Sequence, residues 1–445
     1  MAFKKSDELE EINVQVLPAI RPVNTGSEDG PLLYDERNEK ALLYNASLEN
    51  AAFKNFLSSE PGTLAERRSL RTINELELSK AAHGLTKSIS ESERRLLAET
   101  FTERSLALYG DVDMKMLSSQ MSMDLAKFHS LKGNKNVNQM TLKKCIATYQ
   151  QLGVEVSSIP ESVLHHAADK LFKNYLVENY GFVLELFDPS ELYGPEDIIS
   201  SARTIIKKLS TSDTRWTDWR VMQKQDGSMN VDAKNRTLLV GMKRAPSIGS
   251  ELGPVMLHEF IAHALRGING SDTDDPRLGK GLVDYLIFEE GLGCYMEYVL
   301  TGKNPTKIIY RQMTGALALG RLNGARHNRH EVYMLLKRRH IIMSQAANTE
   351  ERVRKAQLKE LRRLVIDRFF RGGSGVGDTP AVFTKDVVYA KGLSLVKNYM
   401  RKQINDGIDA VDLFEYVLSA KFNPAKYSHI SLLATQGITQ PKPVK

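Results

Sequence analysis

Three positions within a short span carry the most chemistry in this 445-residue chain. His258 is followed directly by Glu259, and a second histidine, His263, stands five positions after the first. Neutral imidazole nitrogens are good ligands for a borderline-soft divalent cation. A carboxylate beside such a cation can take the proton of a water that the metal acidifies. The pattern points to metal-assisted hydrolysis, with His258 and His263 as candidate ligands and Glu259 as candidate general base. The alternative is one buried histidine, one surface histidine and an ordinary acid.

The spacing sets a condition. At 3.6 residues per turn, positions five apart sit about 140° apart around a regular helix, so both rings could not face one ion. The metal reading requires a wide turn or π-bulge near Phe260–Ala262, or a helix end there. A third ligand is available downstream, where Glu289 and Glu290 sit in an apolar, aromatic run from Leu286 to Tyr298. Buried carboxylates are costly unless paired or metal-bound. A glutamate from a second helix would complete three protein ligands and leave one position open for water, the arrangement of a catalytic zinc. Glu290 is preferred because Gly291 and Gly293 permit close packing beside it. Glu289 and Glu297 are read as supporting or surface acids. One Zn2+ per chain is the expected cofactor.

These side chains need elements to hold them. Residues 1–40 are polar and turn-rich and read as an extended lead. From Thr63, leucines recur at helical spacing among charges. Ser90 with Glu93 forms a capping-box pattern, and the helix it starts should stop at Tyr109-Gly110. Helical pattern continues over about 114–128, 137–151 and 161–180. Between 216 and 241, β-formers are broken by Asp226-Gly227 and Asn235-Arg236, which predicts two or three antiparallel strands. Beyond 250 the pattern is helical again, except for the glycine-rich Arg371–Asp378. The expected organisation is a lead (1–40), a helical N-terminal lobe (41–195), a catalytic lobe (196–435) and a tail (436–445). The fold class is α+β, mostly helical.

Composition bounds the rest. Hydrophobic residues make up 42% and charged residues 26%, enough for a sizeable core. The net charge of +7 is too small to declare a nucleic-acid binder. Two distant cysteines, Cys145 and Cys294, exclude a disulfide framework and a four-thiolate zinc site. The amino-terminal residues lack the apolar run of a signal peptide, and no stretch is long and apolar enough to span a membrane. A cytoplasmic protein in a reducing compartment is expected.

His258-Glu259-x-x-x-His263 resembles the signature of the microtubule-associated tyrosine carboxypeptidase family. Glu290-Gly291-Leu292 resembles its Glu-Gly-Leu-Ala element, known in bacterial relatives as the QEGLA motif. Tyr109-Gly110, Arg266-Gly267-Ile268-Asn269-Gly270 and the block Phe383-Thr384-Lys385-Asp386…Tyr389…Gly392 fit the same pattern. The sequence departs from the family pattern at Glu289, Gly293, Phe260 and Ala262. The resemblance implies a zinc metallopeptidase, zincin-like, whose small sheet borders the metal helix beside an α-helical N-terminal lobe. It implies a carboxypeptidase that trims tyrosine- or glutamate-type residues from flexible protein tails, acidic ones among them. A silent regulator that keeps the fold and binds peptides is the alternative, since some bacterial relatives are known only as modulators of expression.

A carboxypeptidase must hold a free carboxylate, and a fixed cation does this well. If the Phe383–Gly392 block is helical, Lys385 and Tyr389 share a face. Lys385 would clamp the carboxylate, and Tyr389 would hydrogen-bond the oxyanion that develops at the scissile carbonyl. Arg371, beside the glycine run, is the alternative clamp. The glycine run lacks the ending of a phosphate loop and reads as an active-site loop. Residues 321–371 hold 14 Lys/Arg against 5 Asp/Glu. The run reads as an electropositive surface near the active site for acidic peptide tails, as a nucleic-acid face, or as a solvated helix face; its few aromatics do not support single-strand stacking, and the solvated face is the plainer reading. Within that run, His327 and His330 lack an evident acidic partner for a second metal site. Cys294 reads as packed rather than nucleophilic.

Overall fold

In the computed structural model the described residues are 77–78, 81, 90–156, 166–282, 284–363, 368–371 and 381–443. All of them lie in one contact-defined unit, Leu32–Lys445. The expected lead over 1–40, the leucines from Leu64 to Leu76 and the glycine run after Arg371 lie outside the described residues.

Local signals act as the sequence predicts at several helix ends. The Ser90 hydroxyl accepts from the Glu93 N–H at 3.4 Å, and the Glu93 carboxylate accepts from the Ser90 N–H at 3.0 Å. Two first-turn amides are thereby satisfied at the start of helix Glu91–Tyr109. That helix ends at Gly110, whose φ of 84° suits a residue without a side chain. Helices Met114–Ser130, Gln139–Gln151 and Ala167–Glu185 follow, and Pro195 opens the helix Pro195–Ser212.

Three strands, Arg220–Lys224, Met229–Asp232 and Thr237–Gly241, form a sheet with the last of them in the centre. Met229–Asp232 pairs with it antiparallel, as expected of a hairpin, but Arg220–Lys224 runs parallel to it. The Asp226-Gly227 turn therefore does not close a hairpin. It folds over the end of the central strand, where the Gly241 N–H donates to the Ser228 carbonyl at 2.7 Å. A side chain on Gly241 would run into the Asp226 carbonyl.

Two cores organise the helices. One joins Phe172 and Leu176 of helix Ala167–Glu185 to Leu238, Met256, Phe260 and Tyr295. The other joins Leu117 and Tyr149 to Met313, Leu336, Phe369 and Val387. Segments before residue 195 thus contribute to both cores beside segments that follow it. The helix Leu286–Thr301 lies against Val388–Asn405 at a close crossing. Side chains on Gly291 or Gly392 would run into the backbone of the facing helix. This crossing brings Tyr389, one turn before Gly392, toward Glu290. No helix among the described residues is long and apolar enough to cross a membrane.

Candidate metal centre

The chain enters the site through the helix Gly249–Leu257 and continues without a break into a π-helical turn, His258–Leu265. An i→i+5 hydrogen-bond pattern brings position five back onto the face of position zero. This is the wide turn that the five-residue spacing requires. The two rings stand 4.9 Å apart between centroids, and their Nε2 atoms lie 3.1 Å apart.

Glu290 completes the group. Its Oε2 is 3.5 Å from His258 Nε2 and 3.7 Å from His263 Nε2. His258, His263 and Glu290 form a cluster whose ligand atoms could hold one metal ion. Gly293, one turn along from Glu290, faces the His258 ring so closely that a Cβ would overlap it. Gly291 and Gly293 thus permit the close packing read from the sequence: Gly291 against the facing helix, Gly293 against the ligand ring itself.

Glu289 and Glu297 have a more definite place than the sequence assigned them. His258 Nδ1 is 2.8 Å from Glu297 Oε1, and His263 Nδ1 is 2.8 Å from Glu289 Oε1. Each carboxylate holds the far nitrogen of one ring and turns the other nitrogen inward, as supporting acids do for metal-bound histidines. Glu289 also accepts from Arg266 Nη1 at 3.2 Å and Lys421 Nζ at 3.0 Å. Burial opposes its charge, but Lys421, His263 and Arg266 bring its pKa down to about 2. Burial likewise disfavours a charged His258, yet Glu290 and Glu297 push it up to about 10. The chamber is built to hold positive charge.

Glu259 differs from the other acids. Its Oε2 is buried without a hydrogen-bond partner. Burial raises its pKa, against the pull of His263 and His258. Two inward imidazole nitrogens and the Glu290 carboxylate are a donor set that suits zinc, and a buried carboxylate oxygen without a partner, that of Glu259, stands beside them. His258 also belongs to a second possible cluster with Cys294 and Glu297. Cys294 is packed, as expected, and burial drives its thiol well above the ordinary range, so the carboxylate set is the better fit.

From Lys385 onward the Phe383–Gly392 block is helical, as a 3-10 turn, Lys385–Val387, running into Val388–Asn405. Burial and then the Glu290 charge push the Tyr389 phenol well above its usual pKa. Lys385 is half-buried beside Asp386. The side chain of Arg371 lies outside the described residues. Two arginines escaped the sequence reading. Arg311 stacks on the Tyr389 ring at 3.9 Å and lies 3.3 Å from Asp386, which Arg368 grips with two hydrogen bonds of 2.6 and 2.9 Å. The only sequence signal for Arg311 is a cation inside the largely apolar run Ile308–Ala318. Arg368 left none.

The remaining candidates divide. In the basic run, Arg329, Lys337, Arg339 and His340 are buried rather than solvated, and Arg339 forms a bidentate pair with Asp124. His327 has an acid at hand after all, Glu331, 3.4 Å away. Among the described residues, however, His327 and His330 enter no three-ligand cluster. His166 caps its helix, its Nδ1 accepting from the Ala168 N–H at 3.4 Å.

Two histidines and a glutamate on adjoining helices, with an unpartnered acid beside them, define a candidate metallohydrolase centre in a mostly helical α+β protein. The family model for microtubule-associated tyrosine carboxypeptidase matches residues 364–444, the same family that the motifs resemble, and supports a carboxypeptidase-like function. No curated protein matches the chain. The matched segment carries Lys385, Asp386, Tyr389, Gly392 and Lys421, and the ligand cluster precedes it.

Proposed function

We propose that the protein is a zinc-dependent carboxypeptidase that removes residues from the free C-terminal ends of flexible protein tails. The observation that carries this reading is the convergence of His258, His263 and Glu290 beside the unpartnered Glu259 oxygen. A bound zinc would supply Lewis-acid activation of water and of the scissile carbonyl. Glu259 would take the proton from the attacking water and pass it to the leaving amine. Burial raises its pKa, which makes it a stronger proton acceptor than an ordinary carboxylate. Glu297 and Glu289 hold the ligand rings, so the histidines need no rearrangement.

The division of labour on the substrate follows from the helix crossing. Tyr389, held beside Glu290 with Arg311 stacked on its ring, would donate a hydrogen bond to the developing oxyanion. Lys385, one turn before Tyr389, would clamp the substrate carboxylate, with Arg371 as the alternative clamp. Three cations, Lys385, Arg311 and Arg368, surround the single carboxylate of Asp386. That excess of positive charge favours a free carboxylate end; a tyrosine- or glutamate-type residue at that end is what the family resemblance implies.

The test is mass spectrometry of a peptide-library digest, with and without chelator. Sequential loss of C-terminal residues that stops on chelation and returns with zinc is the expected result. Intact peptides under all conditions, from a zinc-loaded protein, would favour a silent peptide-binding regulator instead.

A further inference from the structure

Glu289 and Glu290 are adjacent acids on one helix, yet only one of them reaches the cluster of ligand atoms. The contacts of Glu289 explain the choice. Its Oε1 accepts from His263 Nδ1 and from Lys421 Nζ, and its Oε2 accepts from Arg266 Nη1. Arg266 is wholly buried, donates from its other terminal nitrogen to the Phe422 carbonyl at 2.7 Å, and lies 5.7 Å from both the Phe288 and Phe422 ring centroids.

Lys421 comes from a strap 132 residues away in sequence. Its main chain is pinned on both sides: its N–H donates to the Leu278 carbonyl at 2.9 Å, and its carbonyl accepts from the Leu282 N–H at 3.0 Å. Its stem runs past Gly267, where an added Cβ would stand 3.2 Å from Lys421 Cε. One arginine already balances the charge of Glu289, so charge pairing alone does not call for Lys421. The second cation does something else: it occupies the oxygen that also holds His263.

We propose that Lys421 is a positioning residue for the metal centre, locking the Glu289 carboxylate so that it orients the His263 ring and leaves Glu290 as the ligand. The inference rests on the metallopeptidase reading. It also gives the family-matched C-terminal segment a physical link to a histidine pair that lies outside it.

Zinc affinity of the full chain, measured by competition with a chromophoric chelator, is the primary readout. The absorption spectrum of the Co2+-loaded protein reports ligand geometry alongside it. Lys421→Met should weaken zinc binding about 10- to 100-fold and alter the Co2+ spectrum. Lys421→Arg should stay within about threefold of wild type. The kcat should fall in Lys421→Met with KM nearly unchanged, because Lys421 holds a carboxylate rather than substrate. Should Lys421→Met not fold, Lys421→Gln, which removes the charge but keeps a polar end, carries the same expectation of weakened zinc binding. Wild-type affinity and an unchanged Co2+ spectrum in the folded variant would overturn the inference. Absence of zinc binding by the wild type would instead overturn the metal reading beneath it.

Discussion

Two buried charge networks in this protein differ in one respect. Around Asp124, every oxygen is used: Oδ1 accepts from Gln120 and Arg339, and Oδ2 from Arg339 and Tyr149. The network is closed, and Arg339 balances the acid. Around His258 and His263, four acids converge, two imidazole nitrogens face each other at 3.1 Å, and one oxygen of Glu259 has no partner. That network is open. A closed network specifies packing, because a buried polar group is costly until satisfied. An open one retains capacity for a ligand, and a surplus of acids suits a cation. Neither burial of charge nor a lone unsatisfied atom marks a candidate site by itself; here the open oxygen coincides with two inward imidazole nitrogens and three further acids.

Breaking each network should therefore have different consequences. The largest expected effect is on turnover. Glu259→Gln should keep its zinc and its melting temperature but lose roughly three orders of magnitude in kcat/KM, as loss of a general base does. Near-wild-type turnover of a chromogenic peptide by this variant would place the base elsewhere. In the closed network, Arg339→Met should cost about 3–5 kcal/mol of stability, because it strands a buried carboxylate. Denaturant unfolding measures that loss. Zinc content should not change, and a loss of zinc there would merge the two networks and undo the contrast.

Two smaller effects sharpen the picture at the cationic rim. Lys385→Ala should reduce kcat/KM on free-acid peptides by about 10- to 100-fold, the scale of one charge-assisted hydrogen bond. Wild type should prefer free acids to amidated peptides, and the variant should lose that preference. Equal cleavage of both peptides by wild type would make the protein an endopeptidase. Asp386 offers a pH test. Burial opposes its charge, but Arg368 and Arg311 hold its carboxyl far below the model-peptide value of 3.8. A depressed carboxylate pKa stabilises the fold above the unfolded value, and that contribution drains away as pH falls toward the folded one. Asp386→Asn should thus lower the melting temperature at pH 7, and the gap to wild type should narrow below about pH 4. A gap that stays constant down to pH 3 would mean that the charge of Asp386 contributes nothing.

The pairing of His258 with His263 on one face was legible in the sequence because its geometry is local. Five-residue spacing cannot serve one ion on a regular helix, so it demanded the wide turn that Phe260–Ala262 supplies. Ser90 and Gly110 act through backbone groups within a few residues and were legible for the same reason. What remained hidden depends on long-range pairing. Asp226-Gly227 looks like a hairpin turn, but the strand before it pairs with Thr237–Gly241 in parallel, a choice made by tertiary packing. The exact duties of Glu289 and Glu297 follow from how the helix Leu286–Thr301 is rotated, which its all-round apolar pattern does not define. Arg339 sits in a charge run that reads as solvated, and only the buried Asp124 on a distant helix draws it inward. Arg311 and Lys421 acquire meaning only where remote segments meet.

The central claim is that His258, His263 and Glu290 hold one zinc ion. Elemental analysis of purified wild type, His258→Ala and Glu290→Ala, each checked for folding by circular dichroism, tests it most directly. The account predicts one zinc per wild-type chain and loss of most of it in both folded variants; full zinc retention in both, or a folded wild type that takes up none, would contradict it.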